Sequence, residues 1–456
     1  MAANYDLIVA GAGPGGTAAA KTAVEKGLKV LMLERARTPG DKNMSGSYLF
    51  RPICEEIFPG FSQAECNQGQ IRWAGSGVEF VLDNDEKTYS MYMAPGCESF
   101  RDMLTVFRNE TDKWFAEQTV KAGAELKTAL VTDVIWENEN KERVIGVVTD
   151  AGNFEAPVII DATGLHSTIA KKVNLAHWGT DKVMLGMKYM YKLDPEIIRQ
   201  RSEYYRDTEY DGTEVEYMTM PMMTGLNPEF WGVDLVASPE RGIINVCLYQ
   251  SLEEMCSARI NAHQRMQWYL QHPRVKKHLE GAELVQINFH SLASQEMVGY
   301  IKKSYLPGLM IVGDAGGFAQ PVDNFGANVA QHQGRLAAGL AAEMKQKNDY
   351  SEVMFAKYEE EWRNSFIGED ETPEISVFWR KDLGKVLDSF DKAMEDAFKA
   401  KWNNKSYPYI MGTVAFNMAP AIPKLTKIPW VLSKVTETGA NKLSGLMTIF
   451  SMFRGK

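Results

Sequence analysis

A short apolar run, Tyr5 to Ala10 (YDLIVA), passes directly into GAGPGG and then into the alanine-rich stretch TAAAKTAVEKG. This succession constrains the chain more than any other feature, because strand formers, a glycine turn and helix formers in that order predict a buried strand, a tight turn and a crossover helix. Gly11, Gly13 and Gly16 keep the GxGxxG spacing. The first glycine permits the turn, the second lets backbone N–H groups approach a pyrophosphate, and the third lets helix and strand pack closely. Ala20 and Gly27 follow where a crossover helix and its exit turn need small residues, and Leu28 to Leu33 (LKVLML) predicts a second buried strand that ends in Glu34 and Arg35. A carboxylate at that tip accepts hydrogen bonds from ribose hydroxyls and repels a 2′-phosphate, and Arg35 joins it as a candidate cofactor contact. The motif specifies an adenine dinucleotide and leaves NAD and FAD both open.

Two later segments decide between them. Val158 to Ser167 (VIIDATGLHS) predicts a buried strand running into Asp161, Thr163 and Gly164, and Leu309 to Phe318 (LMIVGDAGGF) predicts another ending in Gly313 and Asp314, before a long helix over 327–345. These resemble the second and third fingerprints of glutathione-reductase-like flavoproteins of the hydroxylase type. The resemblance implies that Asp314 hydrogen-bonds the ribityl chain of FAD, and that the following helix directs its N-terminal dipole toward the flavin. No second GxGxxG occurs, so a separate nicotinamide domain is not expected.

Together with GDKNMSG (Gly40 to Gly46), VFRNETDKWFAEQTVKAGAEL (Val106 to Leu126) and GDAGGFAQPVDNFGANVAQHQGRLAAG (Gly313 to Gly339), these motifs resemble the geranylgeranyl-reductase superfamily of FAD flavoproteins. Within it, the chain is most similar to the Fix-type and electron-transfer-flavoprotein:quinone oxidoreductase branch, over about residues 1–345. The resemblance implies that Arg108 contacts the phosphate or ribityl region, that Lys42, Asn43 and Gly46 line the flavin edge, and that Gly326, Ala327 and Asn328 sit by the pyrimidine ring. Two departures argue against prenyl reduction. The turn that carries a cysteine in prenyl reductases reads KNMSG here, and their aromatic YxWxFP motif is absent, Pro228 to Leu235 (PEFWGVDL) being the nearest stretch. A cysteine-ligated cluster domain is also missing, so the Fix-type resemblance implies a separate ferredoxin-like partner.

Composition excludes several other classes. The chain is 45% hydrophobic and 24% charged, as expected of a globular protein, and its net charge of −9 argues against wrapping nucleic acid. The five cysteines, Cys54, Cys66, Cys97, Cys247 and Cys256, form no CxxC pair, so neither a disulfide framework nor a metal site is expected. No cleaved export signal and no membrane span are expected, since prolines interrupt the longest uncharged stretch, Ser406 to Pro423. Methionines crowd the middle (Met184, Met187, Met190, Met218, Met220, Met222, Met223), either as gap-fillers or as the lining of a pocket for an apolar tail. His290 and His332 read as structural residues. From Lys405 onward the chain carries +6 against −15 before it, and Leu443, Leu446, Met447, Phe450 and Phe453 recur at helical spacing. Residues 405–456 therefore read either as a peripheral contact with anionic lipid or as a helix packed on the protein body.

The expected fold is α/β: a glutathione-reductase-like, Rossmann-type FAD-binding domain with an inserted antiparallel-sheet substrate domain and a helical C-terminal region. The expected divisions are 1–180 (with a substrate-side insertion near 75–100), 181–290, 291–345 and a helical cap over 346–456. The expected activity is that of an FAD-dependent oxidoreductase holding FAD noncovalently and passing electrons from a soluble flavoprotein or ferredoxin-like donor to a membrane quinone. Saturation of isoprenoid double bonds in a lipid or quinone tail is the alternative, and flavin monooxygenation a second one. The expected location is cytoplasmic, with the C-terminal segment on the membrane face if it binds lipid.

Overall fold

The computed structural model describes residues 5–42, 45–67, 72–73, 77–82, 87–92, 103–208, 214–219, 222–225, 231–293, 301, 303–318, 326–365, 367–368, 382–403 and 405–425. These divide into two compact units, one of Met1–Glu79, Ser90–Thr224 and Trp231–Glu371, the other of Phe80–Tyr89, Gly225–Phe230 and Thr372–Lys456.

The first unit is built on a six-stranded sheet in the order Tyr305–Leu306, Leu309–Ile311, Val158–Asp161, Leu7–Ala10, Val30–Glu34, Glu125–Thr128. All neighbours are parallel except the Tyr305–Leu306 edge. Leu7, Ile8, Val9 and Ala10 are wholly buried, as is usual for a central parallel strand covered on both faces. The chain leaves this strand first to one side (Val30–Glu34) and later returns on the other (Val158–Asp161). A crevice at its carboxyl end is the geometric consequence.

Helix Pro14–Glu25 starts with proline at its first turn, where the missing N–H costs nothing. Its alanines are buried, and helix Gly326–Lys347 crosses it closely: a Cβ on Gly334 would stand 2.2 Å from the Gly15 carbonyl oxygen and 3.1 Å from the Ala19 nitrogen. Helix Glu352–Arg363 is tied to the sheet edge by polar anchors. The Tyr358 hydroxyl donates to the Ile311 carbonyl (2.7 Å), and the Trp362 indole donates to Ser304 Oγ (2.8 Å).

Three further sheets complete this unit, antiparallel except where Glu214–Thr219 pairs with Arg72–Trp73 in parallel. Val131–Trp136, Val144–Thr149 and Gly152–Glu155 form a meander. A second sheet places Glu283–Ala293, Val183–Lys192, Ile243–Ser251, Trp231–Ser238 and Met222–Gly225 side by side. The third contains Glu203–Thr208, Glu214–Thr219, Arg72–Trp73, Met103–Phe107 and Ser45–Phe50.

In the second unit, helix Leu383–Trp402 packs with Tyr407–Met418, Asn417 Nδ2 donating to Asp396 Oδ2 at 2.9 Å. Lys424 reaches back to Asp382 at 3.1 Å. Among the described residues no helix is long and apolar enough to cross a membrane. The apolar repeat of Leu443, Leu446, Met447, Phe450 and Phe453 lies outside the described residues.

The helix crossing yields a paired test. Gly334→Ala forces a methyl group into backbone and lowers unfolding stability by about 1–3 kcal/mol. Gly339→Ala, on the same helix, meets only the end of the Lys26 side chain at 4.0 Å and raises stability by about 0.5–1 kcal/mol. Denaturant unfolding checks both signs, and equal effects of the two changes contradict the packing described.

Candidate functional site: a dinucleotide cleft facing an antiparallel sheet

The crevice is a cleft of about 870 Å³ within the first unit. Its lining includes Gly11, Gly13, Glu34, Arg35 and Gly164, with Lys42 beside Gly164, and Arg108, Gly313, Asp314, Gly326 and Ala327. Met184, Gly186, Lys188, Cys247, Tyr249 and His290 of the antiparallel sheet also line it.

The three motif glycines serve different needs. Gly11 has φ +108°, and a Cβ there would stand 2.3 Å from the Ala162 carbonyl oxygen. A Cβ on Gly16 would stand 1.9 Å from the Gly11 carbonyl oxygen, so these two glycines hold the turn against the strand ends. Gly13 differs: a Cβ there would meet nothing within 4 Å and would project into the cleft, where the N-terminus of helix Pro14–Glu25 offers unpaired N–H groups. Glu34 is fixed by both carboxylate oxygens, Oε2 accepting from Ala12 N and Oε1 from Ala36 N, each at 2.9 Å. Each oxygen keeps a further lone pair for a ribose hydroxyl.

Arg108 opens helix Arg108–Ala122 and forms a two-pronged pair with Asp112 four residues on, at 2.8 and 2.9 Å. The pair aligns the guanidinium at the cleft wall. Burial holds the Asp314 carboxyl above the usual carboxylate range, against the opposing pull of Lys42 and Arg108. Asp314 lies in the turn Gly313–Gly316, whose Gly313 N donates to Gln333 Oε1 (2.8 Å), and a Cβ on Gly326 would stand 3.8 Å from its carboxylate.

Two expected contacts turn inward instead. Asp161 is fully buried and accepts from Thr163 N, Thr163 Oγ1 and Ala170 N at 3.0, 2.7 and 2.9 Å, so it shapes the loop that carries Gly164 to the cleft. Burial raises its pKa while those hydrogen bonds oppose the rise. The Asn328 amide accepts from Phe50 N (2.9 Å), donates to Gln331 (3.0 Å) and approaches Cys54 Sγ (3.6 Å), clamping the end of Ser45–Phe50 to the helix. Burial pushes the Cys54 thiol up to about 12, which makes it an inert core residue. Gly46 sits where the pairing of Ser45–Phe50 with Met103–Phe107 skips a residue, and Asn43 lies outside the described residues.

The sheet residues were the least legible. Met184 does line the cleft, whereas Met187 points into the core. The side chains of Met218, Met220, Met222 and Met223 lie outside the described residues. His332 contacts Arg335 at 3.1 Å, as a structural histidine would. His290 instead lines the cleft with Nδ1 unpartnered. The strand pattern of 283–293 was the available signal, but only the pairing register shows which of its faces meets the cleft.

The residues present fit FAD. The open Cβ direction at Gly13, the tethered Glu34 and a cleft of this volume whose lining takes in both Gly13 and Ala327 form a cradle suited to a dinucleotide. Residues 6–184 match the family described as FAD dependent oxidoreductase. A protein named FixC from Bradyrhizobium diazoefficiens is 29% identical over 386 residues, covering 80% of this chain and 82% of its own length. A probable electron transfer flavoprotein-quinone oxidoreductase from Escherichia coli K12 is 26% identical over 370 residues, covering 80% and 83%. A geranylgeranyl bacteriochlorophyll reductase-like structure from Thermoplasma acidophilum superposes with a TM-score of 0.66 at 20% identity, over 93% of this chain and 99% of its own, and shares the fold. A flavin-dependent brominase does so with a TM-score of 0.58 at 18% identity, covering 97% of this chain and 93% of its own.

The two turn glycines separate fold from binding. Gly13→Ala leaves unfolding stability unchanged but weakens FAD binding to the apoprotein by about ten-fold or more, because the methyl occupies the approach to the pyrophosphate. Gly11→Ala loses stability as well, and fluorescence titration alongside denaturation distinguishes the two; undiminished FAD affinity in Gly13→Ala contradicts the cradle. With the family match over residues 6–184 and relatives aligned along four fifths of its length, the chain is an FAD-dependent oxidoreductase, similar in sequence to FixC and to a probable electron transfer flavoprotein-quinone oxidoreductase.

Proposed function

We propose that this oxidoreductase passes electrons from a soluble flavoprotein or ferredoxin-like donor to a membrane quinone. The observation that carries the reading is a sequence similarity over 80% of the chain, beyond residues 6–184, to a relative named as a probable electron transfer flavoprotein-quinone oxidoreductase. FAD, when bound, supplies the electron carrier.

The chain's own residues do the positioning. Helix Pro14–Glu25 and Gly13 take the pyrophosphate, Glu34 the ribose, and Asp314 the ribityl hydroxyls. The N-terminus of helix Gly326–Lys347, with Lys42 and Arg108 nearby, favours negative charge on the ring system. Met184, on the cleft side of the sheet, gives an apolar contact for a quinone ring. No side-chain nucleophile is required.

The membrane end of the reading rests on the second unit. Phe390, Met394, Phe398 and Trp402 follow one another at four-residue spacing on helix Leu383–Trp402, and Trp402 is 89% exposed; Phe416 on the neighbouring helix is 79% exposed. The acidic residues of the first helix occupy its middle, whereas Lys399, Lys401 and Lys405 gather at the Trp402 end. Exposed aromatics beside lysines suit the interface of an anionic bilayer.

Two measurements test the reading. Protein reduced anaerobically and mixed with a short-tail ubiquinone or menaquinone analogue reoxidises rapidly, and geranylgeranyl lipid leaves it reduced. Reoxidation by the lipid, with two hydrogens gained per saturated bond, contradicts the reading in favour of prenyl reduction; oxygen-dependent product with NADPH consumption contradicts it in favour of monooxygenation. Replacing Trp402 and Phe416 together by Asp lowers partitioning onto anionic vesicles by about ten-fold or more, and an unchanged pellet rules out this surface.

A further inference from the structure

The cleft-facing side of the antiparallel sheet carries a polar cluster that no step described so far uses. Strand Val183–Lys192 lies between Ile243–Ser251 and Glu283–Ala293, and its register sets residues in rows across the three strands. One row is Tyr249, Gly186, His290; the next is Cys247, Lys188, Asn288. Members of a row point to the same face, and residues two apart on a strand share it. Tyr249, Gly186, His290, Cys247 and Lys188 all line the cleft, so Asn288 faces the same way.

Two features mark this face as built for a ligand. The central strand places glycine between a tyrosine and a histidine, leaving a slot with no side chain between strands that each lie about 4.8 Å from it. On the strand bordering that slot, His290 Nδ1 and Asn288 Oδ1 are both buried and both lack a hydrogen-bond partner. A buried polar atom without a partner costs about 1–3 kcal/mol, so two of them two residues apart need an explanation that a ligand supplies.

The chemistry of the pair narrows the ligand. Burial, with Lys188, Arg108 and Lys42 around it, pushes the His290 imidazole down to about 3, so it is neutral at physiological pH. A neutral imidazole can donate a hydrogen bond to a carbonyl, and the Asn288 oxygen can only accept one, as from a hydroxyl. A flat ring whose oxygens alternate between carbonyl and hydroxyl satisfies both partners in turn. A saturated isoprenoid chain satisfies neither.

We infer that Gly186, His290 and Asn288 form the head-group subsite for the quinone: the ring lies over Gly186, His290 hydrogen-bonds a ring carbonyl, and Asn288 receives the hydroxyl of the reduced form. This rests on the quinone reading above and assigns it residues. Lys188, in the row beside the slot, adds a positive field that favours electron-rich oxygen at this end of the cleft.

The test uses the full chain loaded with oxidised FAD, so that no turnover occurs, and menadione as the probe. Its dissociation constant is measured by calorimetry for the wild type, His290→Leu, His290→Gln, Asn288→Leu and Gly186→Val, with FAD content as the check on folding. The infrared carbonyl stretch of bound menadione is recorded in each. The inference expects His290→Leu to weaken menadione about five- to ten-fold and to return the carbonyl stretch toward its free value, with His290→Gln recovering part of both. Asn288→Leu should weaken menadione less than His290→Leu does, and Gly186→Val should block its binding. Unchanged affinity and carbonyl stretch in His290→Leu and Gly186→Val, with FAD content intact, overturn the subsite while leaving the quinone reading in place. A wild type that binds geranylgeranyl lipid and no quinone overturns the quinone reading, and the subsite with it.

Discussion

The structure depends on a place where there is no room for a side chain. Gly11 lies against the Ala162 carbonyl, Gly16 against the Gly11 carbonyl, and Gly334 of a distant helix against the Gly15 carbonyl. These contacts lock three segments far apart in sequence, the first strand and its helix, the Asp161 loop and helix Gly326–Lys347, into one backbone-to-backbone junction. The cleft is the open side of that junction. Because this junction is backbone packed on backbone, the helix N-terminus and peptide N–H groups beside it can be held toward a bound anion without side-chain rearrangement.

The second layer of the design is electrostatic. Cations (Arg108, Lys42, Lys188) gather around the ring end of the cleft, each near an acid or a polar neighbour that limits its reach. Arg108 is held by Asp112 in a geometry that fixes its plane, and Asp314 faces the cleft at an elevated pKa because burial outweighs the pull of the neighbouring cations. In the proposed reading these cations favour negative charge on a bound ring system, and the tethered Glu34 takes the ribose.

The sequence was legible where backbone geometry dictates residue type. GxGxxG announced a strand, turn and helix because only glycine tolerates the approaches at Gly11 and Gly16, and the buried strands at 158–161 and 309–311 announced themselves by apolar runs. It was less legible where a polar side chain had two plausible partners. Asp161 and Asn328 belong to motifs that read as cofactor contacts, yet nearby backbone groups claim their hydrogen bonds, and spacing alone does not show which partner wins. His290 illustrates the opposite case: it read as structural, and only the alignment of Glu283–Ala293 against Gly186 brought it to the cleft. A one-residue slip in that pairing would turn it to the other face.

The central claim is that one cleft holds the dinucleotide at the glycine turn and the electron acceptor on the antiparallel sheet. Diffraction from crystals of the oxidised protein soaked with FAD and a short-tail naphthoquinone tests it most directly. The account predicts adenosine density beside Gly13 and Glu34, ring density beside Gly326 and Ala327, and quinone density against strand Val183–Lys192 on the cleft side. A dinucleotide bound elsewhere, or a quinone on the far face of that sheet, would contradict it.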